Sequence, residues 1–284
     1  MRRGEALPDA TRRDQGRDTA MPLPAKIGLE GVGKRFVARG EELQALQPID
    51  LAVQPQEFVA LVGPSGCGKS TVLNLMAGLL SPSEGRVLYD QEPVTGLNRK
   101  VGYMTQKDTL LPWRNVADNI GIALELACRS VAVAEKRERV AQMIDLVGLR
   151  GFERHFPGEL SGGMRKRVAL ARTLIYEPET LLMDEPFGAL DAQLKLLLQD
   201  QFQQLILARR VTAVFVTHDL GEAIALADRV VVFSARPGRI RAIRDVDFPR
   251  PRDVVNVRFT AAFARLNEEL WNELKDEVRL GTEV

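Results

Sequence analysis

The sequence predicts an α/β fold built on a mainly parallel sheet, with an antiparallel β portion before that sheet and a helical subdomain inserted into it. Three observations carry the expectation. Residues 58–62 (FVALV), 181–183 (LLM), 213–217 (AVFVT) and 230–233 (VVVF) are short runs with almost no polar alternation, as strands covered on both faces by helices require. Helical stretches alternate with these runs, which is the pattern of a parallel sheet with crossovers. A chain of 284 residues, 45% hydrophobic and 27% charged, has ordinary globular composition and can bury a core without disulfides or structural metals.

From the N-terminus, residues 1–25 mix arginines with acids around no apolar segment, so they read as a disordered tail and not as a secretory signal, and Met21 is an alternative start. Residues 26–37 and 42–53 read as the antiparallel β portion. After strand 58–62, a glycine-rich loop leads into the helical stretch 71–80 (TVLNLMAGLL). Strand signals then vanish between about 105 and 160, where 132–149 is the clearest helical stretch, so a helical subdomain is expected over about 106–175. Arg236-Pro237-Gly238-Arg239 offers Pro and Gly at the central positions of a type II turn, which would fold the strand at 230–233 into a hairpin. The main domain therefore spans 26–250. Beyond Pro249 and Pro251, Phe259, Phe263, Leu266, Leu270, Leu274 and Val278 recur every three or four positions. Residues 251–284 thus hold an amphipathic helix, read as packed on the core in preference to binding a partner.

Charge and cysteine usage exclude some classes. With 39 Lys+Arg against 38 Asp+Glu, the formal charge of +1 argues against a partner made of nucleic-acid phosphates. Cys67 and Cys128 are too few for a secreted disulfide framework and suit a reducing compartment. The longest run free of charged residues, from Ser70 to Ser83, is shorter than the roughly 18–20 apolar residues of a membrane-spanning helix.

Chemistry concentrates in three places. Gly63-Pro64-Ser65-Gly66-Cys67-Gly68-Lys69-Ser70 fits G-x-x-x-x-G-K-[ST] between a strand and a helix, which makes the core a P-loop NTPase. Its glycines let backbone N–H groups converge on phosphate oxygens, Lys69 reaches the β and γ phosphates, and the Ser70 hydroxyl ligates Mg²⁺. Thr71, the next residue, completes this nucleotide-binding set, and Cys67 reads as a small residue tolerated in the loop rather than a redox centre. The apolar run 181–183 ends in Asp184-Glu185. Adjacent acids at the end of a buried strand are costly without a cation or a proton to manage, so Asp184 is expected to hold Mg²⁺ through water and Glu185 to polarise the attacking water. Third, Leu160-Ser161-Gly162-Gly163-Met164 precedes a helix through Val168, Ala171, Leu174 and Ile175 that stops before Pro178. Ser161 suits its N-cap, and Gly162 and Gly163 permit close approach of an anion, although an ordinary capped helix would look the same.

LSGGM, lying after a phosphate loop and before LLMDEP, resembles the signature of the ATP-binding cassette (ABC) family, and the likeness extends over residues 27–245. It implies ATP and Mg²⁺ as ligands and assigns further residues. Phe36 matches the aromatic that stacks on adenine, and Gln106 the glutamine that senses Mg²⁺ and the transport partner. Asp191 closes the D-loop 188–191 (GALD), and His218 matches the switch histidine. Lys166 departs from the pattern, standing where many members have Gln, with a small expected effect on hydrolysis.

In this family the signature of one cassette faces the ATP held by the phosphate loop of another, so the resemblance implies a second ATPase subunit, most simply a second copy. It also implies transmembrane permease subunits, an extracytoplasmic solute-binding protein acting through them, no nucleic acid, and a place on the cytoplasmic face of the cell membrane. Leu110, Leu111 and Trp113 beside Gln106 stand where a permease would dock, while Trp113 as filling of the subdomain core is an equal alternative. The segments LPWRNVADN and SARPGRI resemble importer ATPases for nitrate, sulfonate, taurine and bicarbonate. Two rival readings remain at this point. A nucleic-acid-maintenance or translation ATPase is disfavoured because Lys69 and Ser161 stand only 92 positions apart with no heptad array between them. An inactive cassette of a hetero-pair is disfavoured by the intact Lys69, Asp184, Glu185 and His218.

Overall fold

Five consecutive apolar residues leave β3 (Phe58–Val62) nothing to offer water, and all five are buried. A computed structural model describes residues 24–282 apart from 39, 128–131 and 189. Before β3 come β1 (Ile27–Ala38) and β2 (Glu41–Val53), and after it β4 (Glu84–Tyr89) and β5 (Glu92–Pro93); these four pair antiparallel in the order β2-β1-β4-β5. The second sheet adds β6 (Val101–Met104), β7 (Thr180–Asp184), β8 (Thr212–Val216), β9 (Arg229–Phe233) and β10 (Ile240–Asp245), in the order β10-β9-β3-β8-β7-β6. All its neighbours are parallel except the β9–β10 hairpin.

The two-residue period of β3 divides the interior. Val59 and Leu61 join a core with Ile27, Leu29 and Leu46 of the antiparallel sheet, whereas Phe58, Ala60 and Val62 face the opposite core. Helix α1 (Lys69–Met76), which follows the glycine-rich loop, places Val72, Leu73, Leu75 and Met76 in the first core, between the two sheets. It ends earlier than 80 because Gly78 takes a φ of 69° and lies so close to Gly96 that a Cβ there would meet its carbonyl oxygen at 1.8 Å.

The second core is filled by helices. These are α2 (Val116–Ala127), α3 (Val133–Leu146), α4 (Gly162–Leu174), α5 (Ala192–Arg209), α6 (Leu220–Leu226) and α7 (Ala261–Thr282). Phe58 anchors it, with ring centroids 4.9 Å from Phe215 and 5.8 Å, edge-on, from Phe202. Within 106–175 the described residues form α2, α3, α4 and one 3-10 turn (Pro157–Glu159), with no strand. The helix expected over 132–149 is the shorter α3.

At the other end of the chain, α7 buries Phe263, Leu270 and Leu274 against the second core, as its spacing predicts. Phe259 does not belong to that stripe: it sits in a 3-10 turn (Asn256–Phe259) ahead of α7 and is 83% exposed. The Val278 side chain, Cys128 and residues 1–23 of the expected tail lie outside the described residues. The hairpin expected around Pro237 forms, but its turn is not type II. The Arg239 N–H donates to Ser234 Oγ (3.2 Å) instead of the Arg236 carbonyl, and Gly238 is not among the positive-φ residues that such a turn needs. Among the described residues no helix is long and apolar enough to cross a membrane.

Residues 250–253 are pinned by one buried cation. The Arg252 guanidinium donates to the carbonyls of Ile224 (3.2 Å), Ala227, Val246 (3.0 Å) and Phe248 (3.3 Å), while Gln203 bonds its backbone on both sides (2.7 and 3.1 Å). Burial, and then the neighbouring Arg250, bring its pKa down to about 10. Since truncation strands several buried carbonyls, Arg252→Met should destabilise the fold by ~3 kcal/mol. The check is a lower urea midpoint at unchanged m value.

Candidate nucleotide-binding site

Parallel pairing brings three strand ends to one edge of the sheet. Leu61 of β3 and Asp184 of β7 both stand opposite Val216 of β8. The residues that follow, Gly63 on one strand, Glu185 on the next and Thr217-His218 on the third, therefore emerge side by side. This is the carboxyl edge, where open α/β sheets place their ligands.

The glycine-rich loop wraps its own lysine. Lys69 is buried, and its Nζ donates to the carbonyls of Gly63 (2.8 Å) and Pro64 (2.6 Å), with Cys67 Sγ at 3.5 Å. Gly66 and Gly68 take φ values of 75° and 102° that disfavour a side chain, while Ser65 and Gly66 are exposed. Cys67 is fully buried, and that burial pushes its thiol pKa up. It is packing and not a reactive thiolate, as its sequence context suggests. Ser70 and Thr71 lie half-buried in the first turn of α1.

Asp184 is 4% exposed, and burial raises its pKa. A hydrogen bond from the Ser70 side chain opposes that rise, as do the charges of Lys166 and Lys69, while Glu185 adds to it. A buried carboxylate joined to a hydroxyl is a hard-oxygen pair suited to Mg²⁺, which retains waters and takes phosphate oxygens for its other ligands. Among the described residues no group of three His, Cys, Asp or Glu could cage a metal by itself. The chemistry of the pair therefore fits Mg²⁺ arriving with a nucleotide, which Ser70 and Asp184 would hold.

Glu185 occupies left-handed backbone space at a φ of 51°, rare for a residue with a side chain. Its N–H donates to Val216 (3.0 Å), and its carbonyl accepts from Gly188 (3.1 Å). One carboxylate oxygen then lies 3.5 Å from Nδ1 of His218, an imidazole that is 71% exposed. Next to His218, the Thr217 hydroxyl donates to the buried Glu222, which also accepts from Gln199 (2.9 Å). Asp219 caps α6 through the Glu222 N–H (3.0 Å) and pairs with Lys195 (2.9 Å). Sequence reasoning missed this brace, whose signal is the T-x-D-x-x-E spacing of an N-cap.

The remaining expected residues are distributed unevenly. Ser161 is the N-cap of α4, accepting from Met164 (3.2 Å), and it is exposed with Gly162 beside it and Gly163 half-buried. Asp191 caps α5 through Leu194 (2.9 Å). Phe36 sits on β1, half-buried, with the Lys34 ammonium 5.2 Å above its ring. Gln106 has an exposed side chain, but its backbone carbonyl accepts from Lys166.

Lys166, the departure from the family pattern, has a partner that its neighbours in sequence do not indicate, the Gln106 carbonyl. Burial lowers the pKa of Lys166, while Asp184, Glu185 and Asp108 oppose the drop. Its ammonium thus lies within the field of both site carboxylates. Two more cations of α4 grip the same segment: Arg165 donates to Asp108 (2.9 Å), and Arg172 to the carbonyls of Asp108 (2.9 Å) and Thr109 (3.0 Å). Positions 165 and 172 are two helical turns apart on one face, a spacing visible in the sequence.

Comparison with known proteins decides what this edge belongs to. The ABC transporter family model matches residues 46–188. An ABC transporter ATP-binding protein of Methanocaldococcus jannaschii is 44% identical over 256 residues, covering 90% of this chain and 94% of its own length. The chain belongs to the ABC transporter family. Other relatives of this cassette include the nitrate import ATP-binding protein NrtC of Synechococcus elongatus, 44% identical over 84% of this chain but only 37% of its own length. The aliphatic sulfonates import ATP-binding protein SsuB of Bacillus cereus is 40% identical over 82% of this chain and 91% of its own length. These names favour transport over the nucleic-acid and translation alternatives. A cassette solved as a dimer after hydrolysis, with ADP and Pi bound, superposes with a TM-score of 0.73 at 29% identity, covering 78% of this chain and all of the other.

Lys166→Met should release the carbonyl of Gln106 and reduce kcat for ATP hydrolysis by about tenfold, as loss of one charge-assisted bond implies. Lys166→Arg should retain most of the rate in the same steady-state assay.

Proposed function

We propose that this cassette is the ATP-hydrolysing subunit of an importer for a small solute such as nitrate, a sulfonate, taurine or bicarbonate. In this reading it is peripheral on the cytoplasmic face of the membrane, works through separate permease subunits fed by an extracytoplasmic binding protein, and pairs with a second copy. The observation that carries the catalytic part is the approach of Glu185 and His218, 3.5 Å apart, beside the buried Asp184 and Ser70 pair. The named relatives support the transport part.

Each residue then has a physical task. The N–H groups of 63–71 and the start of α1 receive phosphate oxygens, and Lys69 exchanges its two loop carbonyls for the β and γ phosphates. Phe36 stacks on the adenine. Ser70 and Asp184 would hold Mg²⁺, with the Gln106 side chain sensing it, and when bound the ion would supply charge neutralisation for the transferring phosphoryl group. Glu185, held in place by its strained backbone, accepts a proton from the attacking water, and His218 orients that carboxylate and the γ-phosphate.

Ser161, Gly162 and Gly163 serve a different nucleotide. Ser161 and Gly162 are exposed at the start of α4 with Gly163 half-buried beside them, and none of the three has a hydrogen bond to the phosphate loop among the described residues. They complete the site of the partner copy, with Asp191 at the same junction. ATP then bridges two surfaces, and loss of the γ-phosphate lets them part. Trp113, 71% exposed, is not subdomain filling. With Leu110 and Leu111 it forms the contact that passes this motion from the helical segment 106–175 to a permease.

Glu185→Gln should bind ATP with near-native affinity, lose turnover by about 10²–10⁴-fold as removal of a general base implies, and accumulate an ATP-dependent dimer in size-exclusion chromatography. Adding Ser161→Arg should abolish that dimer without abolishing nucleotide binding. Native turnover of the Glu185 variant, or equal dimer yield from the double variant, would overturn the reading.

A further inference from the structure

The segment Ser234–Arg239 joins β9 to β10 and has no part in the mechanism above, yet it lies directly behind the phosphate loop. A Cβ on Gly238 would stand 1.9 Å from the Cys67 carbonyl oxygen and 3.1 Å from its carbon. The difference between those distances is about one C=O bond length, so the Cys67 carbonyl points almost straight at Gly238. Across a planar trans peptide the next N–H points the opposite way. The Gly68 N–H is therefore turned away from the 234–239 turn, at the N-cap of α1, among the donors that a helix start leaves available to an anion.

The turn that backs this peptide is held from three sides. From β2, Ala45 accepts the Gly238 N–H (3.1 Å) and Gln47 donates to the Gly238 carbonyl (2.8 Å). Within the turn, Ser234 and Arg239 exchange two bonds, Ser234 N–H to the Arg239 carbonyl (3.0 Å) and Arg239 N–H to Ser234 Oγ (3.2 Å). From α7, the Glu277 carboxylate accepts the Ala235 N–H (2.8 Å) and pairs with Arg241. Glu277 is 6% exposed. A buried carboxylate costs free energy unless it is bonded, and its bonds here are spent on the turn and on the strand leaving it.

We propose that Gly238 is a positioning residue for nucleotide binding, the 234–239 turn acting as a backstop that aims the Gly68 N–H at the phosphates, and that Glu277 makes helix α7 part of that support. The inference rests on the phosphate loop being the nucleotide site and adds a specific role for the glycine of SARPGRI. Only glycine lets the turn approach the Cys67 carbonyl this closely. Any side chain there must push the 67–68 peptide and tilt its N–H.

The test compares Gly238→Ala, Glu277→Ala and Glu277→Gln in the full chain. ATP and ADP affinities are measured by calorimetric titration, with kcat, KM and nucleotide-free melting followed in parallel. Gly238→Ala should weaken ATP and ADP alike by about tenfold, as expected for one misdirected hydrogen bond to an anion, raising KM while kcat at saturating ATP changes less than about twofold. Glu277→Ala should act in the same direction, and Glu277→Gln, whose amide oxygen still accepts the Ala235 N–H, should recover most of the affinity. If Gly238→Ala does not fold, the Glu277 pair decides. Folded variants with wild-type affinity, or Glu277→Gln and Glu277→Ala equally weakened, would overturn the backstop. A wild-type chain that binds no ATP would overturn the nucleotide reading beneath it.

Discussion

Everything at the site depends on the parallel pairing of β3, β7 and β8. Parallel neighbours need crossovers that cover both faces of the sheet, and each of these three strands is buried along its whole length. Polar groups can then begin only where the strands stop. Because Leu61 and Asp184 share the level of Val216, they stop together, and a phosphate loop, two acids and a histidine fall at one edge without any contact having to be made between them in sequence. The apolar runs that predict the fold also fix where its chemistry lies.

That placement sets the electrostatics. Asp184 stays inside the protein surface, where burial raises its pKa and Ser70, Lys166 and Lys69 counter the rise. Negative charge is thereby collected where a divalent cation would enter with the nucleotide. Glu185, one residue further on, escapes burial by turning into left-handed backbone space, and it meets His218. The cations of α4 hold residues 106–109 from the other side. Lys166 thus bonds the segment at Gln106 while its charge faces the acidic pair.

The sheet, the cap at Ser161 and the amphipathic α7 were legible because each follows from a local period or spacing. Residues whose task is set by distant partners were not. The reach of Lys166 to Gln106 cannot be read from its position beside the signature, and Phe259 continues the periodicity of α7 while lying before the helix begins. Gly238 suggests a type II turn by its neighbours, but its glycine answers a close approach from Cys67, 171 positions away in the chain. For Trp113, sequence left burial and exposure equal, and packing of α2 by Ile120 and Leu124 instead leaves the indole outside.

The central claim is that each chain holds one phosphate-binding half and one signature half that serve different nucleotides, so a monomer is incomplete. Turnover per chain at saturating Mg²⁺ and ATP, followed over a thousandfold dilution with the dimer fraction read by light scattering in the same samples, tests it most directly. The account predicts that specific activity falls in step with the dimer fraction. Full turnover in samples that scatter as monomer would contradict it.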